Sequence, residues 1–528
     1  MNVIKKGKES MQAIFLNTFY SENLSGASYA VNKRLELFSR HQIDAKIMTT
    51  TFYLTNRYYF EKHFAEQKDS FLDFTNVLTD TINVSEESLR PNEAFFNGLG
   101  LEIKDTENKA VGKRSEYARW TTYPDGRILD ISYYNRTNNI LRTDGYDHRG
   151  FLCLKSYYEI NDKNQICLAR REHLDQNGHV RLIYYFTLDK AIRKILWTDL
   201  SGIVYAFNNE NDLLLCALKQ YTNNDLQKFF IIADLFVTDT LAKLSQLRTQ
   251  NNVALFIQLH NIQYKNTSEE QPLRIGYSYP VLNHDLYTGL ITLTDRQKKD
   301  INHTIHCDNH IYAIAENWFS EKDVNDYYSV NWDDKEDGLV IISARLEKVK
   351  QIDQAIRAVT FAHKRVSKIH LEIWGSGPER QGLEQLIQQK NAEDYIFLKG
   401  TLDNASMKKR MAQAQLHLLT SKNEGLPMVL FEAQLGKTPS ICYDIDYGPD
   451  AIINNRINGD LIAPNDTKYL AMRLEELFRD PIQGTLRQYA FNTRHTLDKY
   501  SESSIWSIWE NLLEQTFNNE NRNHRESE

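Results

Sequence analysis

The chain has 528 residues, of which 41% are hydrophobic and 25% charged, as in ordinary soluble globular proteins, and this length suggests three or four domain-sized units. Only 22 glycines and 10 prolines occur, which excludes a collagen-like or low-complexity chain. With 63 basic and 70 acidic residues the net charge is −7, so the overall charge does not favour nucleic-acid binding.

The cysteine pattern and the short apolar runs indicate a location within the cell. The five cysteines are odd in number and lack framework spacing, which is typical of a reducing compartment. The apolar runs fall short of the ~18 residues that span a bilayer. The apolar stretch after the first lysines is also too short for a signal peptide. We therefore expect a cytoplasmic protein, with the inner face of the membrane included as a place where it acts.

The N-terminal segment, residues 1–80, predicts the start of a Rossmann-like domain. Strand Gln12–Thr18, loop Ser21–Ser28, helix Tyr29–Arg40 and strand Ile43–Thr49 follow one another. This order is typical of a parallel, doubly wound sheet.

Residues 81–207 predict an inserted antiparallel β-meander. Short β-rich runs alternate with turn signals at Pro124–Gly126, Asp147–Gly150, Asn161–Asn164 and Asp175–Gly178. Paired tyrosines such as Tyr184-Tyr185 are expected to place one ring on each face of the sheet.

The α/β pattern returns in residues 208–320 and repeats in residues 321–500, which predicts a second Rossmann-like domain and a ligand-binding cleft between the two. A C-terminal helix is predicted for residues 501–518 and a disordered tail for residues 519–528. The predicted fold class is α/β, with two Rossmann-like domains and a β-rich insertion in the first.

The strongest chemical signal is the segment Ser421–Ala433. Pro427 is predicted at the first helical position, and a helix start offers free N–H groups to a phosphate. Glu424 and Glu432 are eight residues apart, roughly two helical turns, so both carboxylates are expected to face one ligand. Their natural partners are sugar and ribose hydroxyls.

A second signal follows a predicted buried strand at Leu339–Ser343. Arg345 and Lys350 lie at the carboxyl end of that strand, where two cations can neutralise a diphosphate leaving group. A third, weaker signal is the loop Ser25-Gly26-Ala27, whose glycine lets backbone approach a phosphate.

These motifs resemble the retaining GT-B nucleotide-sugar glycosyltransferases of family 4. Glu424 and Glu432 match the family's Glu-x7-Glu motif, and Arg345 and Lys350 match its Arg-x4-Lys pair. The resemblance covers about residues 12–50 and 229–515. A β insertion at this place, with the segment Tyr443–Pro449, resembles the teichoic acid α-glycosyltransferases and the related adhesin-modifying enzymes of Gram-positive bacteria.

The resemblance implies a role for each matching position. It implies that Arg345 and Lys350 hold the diphosphate, that Glu424 contacts the donor sugar, and that His260 faces that sugar across the cleft. Glu432 is implied to bind the ribose hydroxyls. The remaining donor-binding positions that it implies are Gly26, Thr401, Leu402, Gly425, Leu426, Pro427, Met428 and Val429.

Two patterns resemble metal motifs, yet no metal or other cofactor is expected. Asp444-Ile445-Asp446 looks like the Asp-x-Asp motif of GT-A enzymes, but it follows a GT-B pattern, so a structural or acceptor-side role is favoured. The histidine- and cysteine-containing stretch 303–310 lacks a second ligand pair of matching spacing.

The expected function is transfer of glucose or N-acetylglucosamine from a UDP-sugar to the polyol-phosphate chain of teichoic acid. One alternative is a protein Ser/Thr O-glycosyltransferase for a bacterial surface protein, and another is a non-catalytic glycan-binding subunit. The insertion is expected to mediate homo-oligomerisation or to bind the acceptor, with basic candidates at Lys104, Lys109, Lys113, Arg114 and Arg119.

Overall fold

The computed structural model describes residues 10–103, 108–112, 117–161, 163–234, 237–261, 263, 273, 275–479 and 484–523. Three sheets contain the strands: a seven-stranded sheet, a ten-stranded sheet and a six-stranded sheet. The chain divides into two compact units, residues 1–257 with 286–288, and residues 258–285 with 289–528. No helix in the described ranges combines the length and the apolar character needed to cross a bilayer.

The N-terminal segment folds as the sequence predicts. Its strands pair in parallel, β1 with β2 and β2 with β3, and β1 is buried from Gln12 to Asn17 because both faces of such a sheet are covered. The elements are β1 (Ser10–Asn17), α1 (Gly26–Arg40), β2 (Asp44–Thr49), α2 (Asn56–His63), β3 (Phe71–Asp73) and α3 (Phe74–Thr79). The three-residue strand β3 is too short for a sequence pattern to mark it.

The insertion is one antiparallel sheet in which successive strands are neighbours. All four predicted turn segments connect adjacent strands, and Tyr184 is buried while Tyr185 is half-exposed, as predicted. The elements are α4 (Glu93–Gly98), β4 (Leu101–Ile103), β5 (Lys109–Gly112), β6 (Tyr117–Thr122), β7 (Ile128–Tyr134), β8 (Ile140–Tyr146), β9 (Leu152–Ile160), β10 (Ile166–Leu174), β11 (Val180–Phe186), β12 (Ile192–Thr198) and β13 (Val204–Phe207).

The chain then returns to the first sheet, because β14 pairs in parallel with β1 although the insertion separates them in sequence. The buried Arg34 guanidinium donates to both carboxylate oxygens of Asp234, at 2.9 and 3.1 Å, and so joins α1 to the segment after β14. The elements are α5 (Glu210–Tyr221), β14 (Gln227–Ala233), α6 (Thr238–Leu244), β15 (Val253–Gln258), α7 (Ile275–Leu282), β16 (Gly289–Thr292), α8 (Asp295–Ile305), β17 (Ile311–Ala313) and α9 (Glu321–Tyr327). The sheet order is β17-β16-β15-β14-β1-β2-β3.

The C-terminal sheet is parallel, with the order β20-β19-β18-β21-β22-β23. Its elements are β18 (Leu339–Ser343), α10 (Ile352–His363), β19 (His370–Trp374), α11 (Arg380–Gln389), β20 (Ile396–Gly400), α12 (Asn404–Gln413), β21 (Leu416–Leu419), α13 (Met428–Leu435), β22 (Ser440–Tyr443), α14 (Pro449–Ile452), β23 (Gly459–Ile462), α15 (Thr467–Arg479), α16 (Gly484–Asn492), α17 (Arg494–Lys499) and α18 (Glu502–Asn523).

The predicted fold class is confirmed: two parallel α/β sheets and an antiparallel insertion in the first. The boundary at the C-terminus was wrong. Helix α18 continues to Asn523, five residues beyond its predicted end, because a polar sequence without Gly or Pro can extend a helix whose earlier turns are anchored by buried Trp506 and Trp509. Residues 524–528 lie outside the described ranges.

Candidate active site

The candidate residues gather where the order of the C-terminal sheet reverses direction. Strand β18 has β19 on one side and β21 on the other, so the connections after β18 and β21 leave the sheet in opposite directions. Such a switch point opens a crevice at the carboxyl ends of the strands. Arg345 and Lys350 follow β18, and Glu424 follows β21.

The end of β19 and the glycine-containing segment after it hold the loop that carries Arg345. The Ala344 N–H donates to Trp374 O at 3.0 Å and the Leu346 N–H donates to Ser376 O at 2.9 Å. A Cβ atom on Gly375 would lie 1.9 Å from Ala344 O, and both Gly375 and Gly377 have positive φ. Only glycine therefore permits this close approach.

Arg345 itself is 73% exposed, and its Nη1 atom lies 2.5 Å from the Glu347 carboxylate. The structure thus places a guanidinium at the mouth of the crevice, on a backbone fixed by its neighbours. Because an exposed ion pair contributes little, an anionic ligand competes easily with Glu347 for this side chain.

Lys350 and Glu424 form the centre of the site. The Lys350 Nζ atom lies 2.6 Å from Glu424 Oε1, and the two side chains are only 18% and 14% exposed. Their loops are also joined by backbone, because the Lys422 N–H donates to Val349 O at 2.7 Å and the Thr420 hydroxyl donates to Lys350 O at 3.1 Å. The pair offers a cation and a hydrogen-bond acceptor side by side.

The eight-residue spacing does not place Glu424 and Glu432 two turns apart on one helix. Helix α13 begins at Met428, with Pro427 before its first residue, so Glu424 lies in the preceding loop and only Glu432 is helical. The Gly-Leu-Pro sequence keeps the chain extended there, since proline disfavours helical backbone in the residue before it. Glu432 is half-buried, and burial raises the pKa of its carboxyl while the nearby Lys408 ammonium opposes that shift.

The backbone of His260 packs against the loop that contains Glu424 and Gly425. It follows β15, and its carbonyl oxygen would lie 2.4 Å from a Cβ atom on Gly425. Its imidazole is nearly buried, and Nδ1 forms an ion-pair contact with the Glu316 carboxylate. Gly425 therefore has no side chain because the His260 backbone occupies that space.

Arg296, a residue that no sequence motif marks, lies in α8 and contacts three carboxylates. Its guanidinium lies 3.5 Å from Asp444, 2.5 Å from Asp446 and 3.4 Å from Asp450. Burial raises the pKa of Asp446, and the charge of Arg296 opposes that shift. Asp444-Ile445-Asp446 thus takes part in an arginine-centred cluster. No local signal links position 296 to 444–450; only the fold brings them together.

A tyrosine connects this cluster to the candidate loop. The Tyr447 N–H donates to Glu424 O at 2.7 Å, and the Tyr447 hydroxyl donates to Asp300 Oδ2 at 2.5 Å. The Gln263 amide donates to the same hydroxyl at 2.8 Å. The backbone of Glu424 is therefore held from both sides, which limits the positions that its carboxylate can take.

The other predicted positions lie elsewhere along the chain. Gly26 is the first residue of α1, which Ser25 caps by accepting from the Ser28 N–H at 3.0 Å, and the space around a Gly26 Cβ is open. Thr401 and Leu402 are exposed between β20 and α12. Leu426 is buried, while Met428 and Val429 are half-buried in the first turn of α13. The structure brings together Lys350, Glu424, Gly425 and the His260 backbone.

Comparisons with known proteins point to one class of enzyme. Residues 329–502 match the family described as "Glycosyl transferases group 1". The chain is 26% identical to a UDP-N-acetylglucosamine--peptide N-acetylglucosaminyltransferase GtfA subunit of Streptococcus agalactiae, over 84% of this chain and 85% of the relative. It is 23% identical to a poly(glycerol-phosphate) alpha-glucosyltransferase of Bacillus subtilis, over 96% and 75% of the two chains.

The fold has close structural neighbours of the same kind. The pneumococcal O-GlcNAc transferase GtfA, solved in complex with UDP and GlcNAc, superposes with a TM-score of 0.77 at 20% identity, over 96% of this chain and 99% of that chain. The likeness spans the insertion as well as the two parallel sheets. These similarities confirm the resemblance that the motifs predicted.

Proposed function

Since this chain is a glycosyltransferase whose C-terminal part belongs to the glycosyl transferases group 1 family, we propose that it transfers glucose or N-acetylglucosamine from a UDP-sugar to the polyol-phosphate chain of a teichoic acid, with retention of configuration. The observation that carries the proposal is the Lys350–Glu424 pair at the switch point of the C-terminal sheet.

The charges of the site suit a nucleotide diphosphate bearing a sugar. Lys350 neutralises Glu424, so the carboxylate does not repel the diphosphate and is free to accept from sugar hydroxyls. Arg345 exchanges its surface contact with Glu347 for bidentate contact with phosphate. Glu432 accepts from the ribose hydroxyls, and Thr401 and Leu402 flank the base.

The transfer step follows from stabilising the leaving group. The bond from the anomeric carbon to the diphosphate oxygen breaks, and its electron pair stays on the diphosphate, which Arg345 and Lys350 stabilise. The acceptor hydroxyl oxygen forms the new bond from the same face and passes its proton to the departing diphosphate. No protein nucleophile and no metal take part in this step.

The test is UDP release in EDTA by the full-length protein, with UDP-glucose or UDP-N-acetylglucosamine as donor. Arg345→Ala and Lys350→Ala should each lower release by at least about 100-fold, the usual effect of removing one charge-stabilising group. Arg357→Ala is the matched control, because Arg357 is a half-exposed cation of α10 that pairs with Asp353 at 3.8 Å and lies outside the candidate site. Wild-type turnover by both site variants would contradict the mechanism.

The insertion carries a row of alternating rings and cations that suits an anionic polymer. One residue from each of six successive strands stands in register across the sheet: Tyr133, Arg142, Tyr157, Arg170, Tyr185 and Lys194. The Arg142 guanidinium lies 4.4 Å from the Tyr133 ring centroid, and that of Arg170 lies 4.3 Å from the Tyr157 ring centroid.

This row supports acceptor binding through its spacing. Neighbouring strands are about 4.8 Å apart, so its cations recur about every 9.6 Å along a row of about 24 Å. Asp144 pairs with Arg142 and Glu172 pairs with Arg170, which partly neutralises the positive charge of the row. Of the basic candidates near the insertion, Lys109 and Arg119 flank the Tyr117 ring, whereas Lys104, Lys113 and Arg114 lie outside the described residues.

The acceptor is tested by adding poly(glycerol phosphate) and poly(ribitol phosphate). Release should rise with polymer, and the double variant Arg142→Ala/Arg170→Ala should raise the polymer KM without changing donor hydrolysis. Arg193→Ala is the control, because Arg193 is exposed and adjoins Lys194 but is the residue that the pairing of β11 with β12 skips, so it stands outside the row. A changed sedimentation coefficient with an unchanged KM would instead assign this face to homo-oligomerisation.

A Ser/Thr side chain of a surface protein is the second candidate acceptor. The relative from Streptococcus agalactiae is named for transfer to a peptide, and it is at least as similar to this chain as the poly(glycerol-phosphate) enzyme. Glycosylation of a Ser/Thr-rich peptide, with no stimulation by either polymer, would favour this acceptor. In either case the soluble donor fits action in the cytoplasm, at the inner face of the membrane.

A further inference from the structure

Three side chains with metal-ligating atoms meet beside the amino-terminal ends of β16 and β17. His284 lies in the short 3₁₀ turn His284–Leu286 that precedes β16, and Cys307 and His310 lie in the turn that leads into β17. One ligand atom from each of the three residues lies within 4.8 Å of the other two. The stretch 303–310 lacked a partner in sequence because the third residue comes from a segment before β16.

The separation of two of these atoms fits a tetrahedral ion. The Cys307 Sγ atom lies 3.4 Å from His310 Nδ1. A tetrahedral zinc with Zn–S of about 2.3 Å and Zn–N of about 2.0 Å holds such atoms about 3.5 Å apart. A thiol–imidazole hydrogen bond has a similar length. The third residue therefore decides between a hydrogen bond and a shared metal ion.

That residue, His284, has a buried nitrogen in need of a partner. Its Nδ1 atom is buried and, among the described residues, has no hydrogen-bond partner, although the ring as a whole is half-exposed. Its ring centroid lies 6.0 Å from that of His310. A buried polar atom without a partner is costly and calls for an explanation. A Cys307–His310 hydrogen bond would leave this nitrogen unsatisfied, whereas a shared ion satisfies all three residues.

We propose that His284, Cys307 and His310 bind a zinc ion that fastens the turn before β16 to the turn before β17. Nitrogen and sulfur ligands suit zinc rather than magnesium or calcium. Cys307 binds as the thiolate and releases its proton to solvent, both imidazoles bind in the neutral form, and water fills the fourth position.

The place of the cluster in the sheet makes its role structural. Strands β16 and β17 run parallel, and the cluster lies where they begin. Parallel sheets bind their substrates at the carboxyl ends of strands, which is where His260 follows β15. The ion therefore stabilises the short edge strand β17 and its short neighbour β16, and it takes no part in sugar transfer.

The first measurement is zinc content by mass spectrometry after dialysis of the full-length protein against buffer that contains trace zinc and then against metal-free buffer. We expect about one zinc per chain. His284→Ala, Cys307→Ser and His310→Ala should each weaken binding by at least about 10-fold. His303→Ala and Cys216→Ser are the controls, since His303 is an exposed residue of α8 and Cys216 a half-buried free cysteine of α5.

Cobalt supplies a second readout that does not depend on zinc retention. Cobalt(II) added to the zinc-free wild-type protein should give a thiolate-to-cobalt charge-transfer band, which should persist in Cys216→Ser and vanish in Cys307→Ser. Zinc bound equally by all three site variants would mean adventitious binding and would overturn the proposal. Absence of both zinc and the cobalt band in the wild-type protein would overturn it as well.

UDP release measured in EDTA distinguishes a failure of the zinc proposal from a failure of the proposed function. Chelation should lower the thermal midpoint of the wild-type protein, leave that of Cys307→Ser unchanged, and preserve sugar transfer at temperatures below both midpoints. Equal midpoints with and without chelator in the wild-type protein would contradict the structural role, whatever the activity.

Discussion

Gly425→Ala should disable the candidate site while changing a single methyl group. The added Cβ atom would lie 2.4 Å from the His260 carbonyl oxygen and 3.0 Å from Leu293 Cδ1. Ordinary contact with that oxygen begins near 3.4 Å, so the loop must move by about 1 Å. Both atoms in the closer contact are anchored in backbone, so neither can rotate away.

The size of the effect follows from this displacement. Overpacking of this kind costs about 1–3 kcal/mol in the free energy of unfolding. A misplacement of about 1 Å in a residue that positions substrate costs about 100-fold in rate. Since Glu424 precedes Gly425 and its backbone is fixed by Tyr447, the displacement acts directly on the Glu424 carboxylate. We therefore expect UDP release to fall by about 100-fold.

The assay compares UDP release and thermal unfolding of Gly425→Ala with those of Gly382→Ala. Gly382 lies in helix α11 with open space around its Cβ position, so alanine there should stabilise the protein by about 0.4–1 kcal/mol and leave release unchanged. Wild-type release and stability in Gly425→Ala would refute the close packing of these two backbones as a determinant of the site.

Three further changes test other parts of the structure. Lys350→Met leaves the nearly buried Glu424 carboxylate without its cation, so thermal unfolding should show a loss of about 2 kcal/mol together with lost UDP release, whereas Lys348→Met, in the same turn, should change neither. Arg296→Ala should cost about 1 kcal/mol, since the arginine is 41% exposed, and a cycle with Asp446→Asn should show that the two changes are coupled. Burial lowers the pKa of His417 to about 3. Between about pH 6.5 and pH 3 this histidine is therefore protonated in the unfolded chain and neutral in the folded chain. The free energy of unfolding falls by about 1.4 kcal/mol for each pH unit that the pH is lowered through this window. Urea unfolding of His417→Gln should show a pH slope smaller by one proton in that window, and an unchanged slope would contradict the buried neutral state.

Most of the fold could be predicted from local patterns because parallel strands buried on both faces are continuous apolar runs. Strand β18 has both predicted ends, and α1 and β2 end where predicted, at Arg40 and Thr49. Strands β3, β17 and β23 were missed, since three or four residues carry no periodicity. Their existence depends on pairing with a neighbour that the sequence does not reveal.

The site was predictable as a set of residue types but not as a geometry. The spacings of Arg345 with Lys350 and of Glu424 with Glu432 pointed to the segments that follow β18 and β21, yet the helix begins only at Met428, so Glu424 and Glu432 are not related by helical spacing. Arg296 and Glu316 escaped notice, and Tyr447 was marked only as part of the segment Tyr443–Pro449, because each acts through a partner distant in sequence. Side chains that hold a site in place leave a weaker local signal than those that could touch a ligand.

The cross-strand row on the insertion depends on an irregularity that no sequence pattern indicates. Leu168 stands opposite Tyr158, and the next pair is Arg170 with Tyr157, so Ala169 is an extra residue in β10. Because side chains alternate between faces, a regular ladder would set Ala169 against Tyr157 and turn Arg170 to the other face. One extra residue thus aligns Arg170 with Arg142 and the tyrosines between them, and the proposed acceptor surface rests on that bulge.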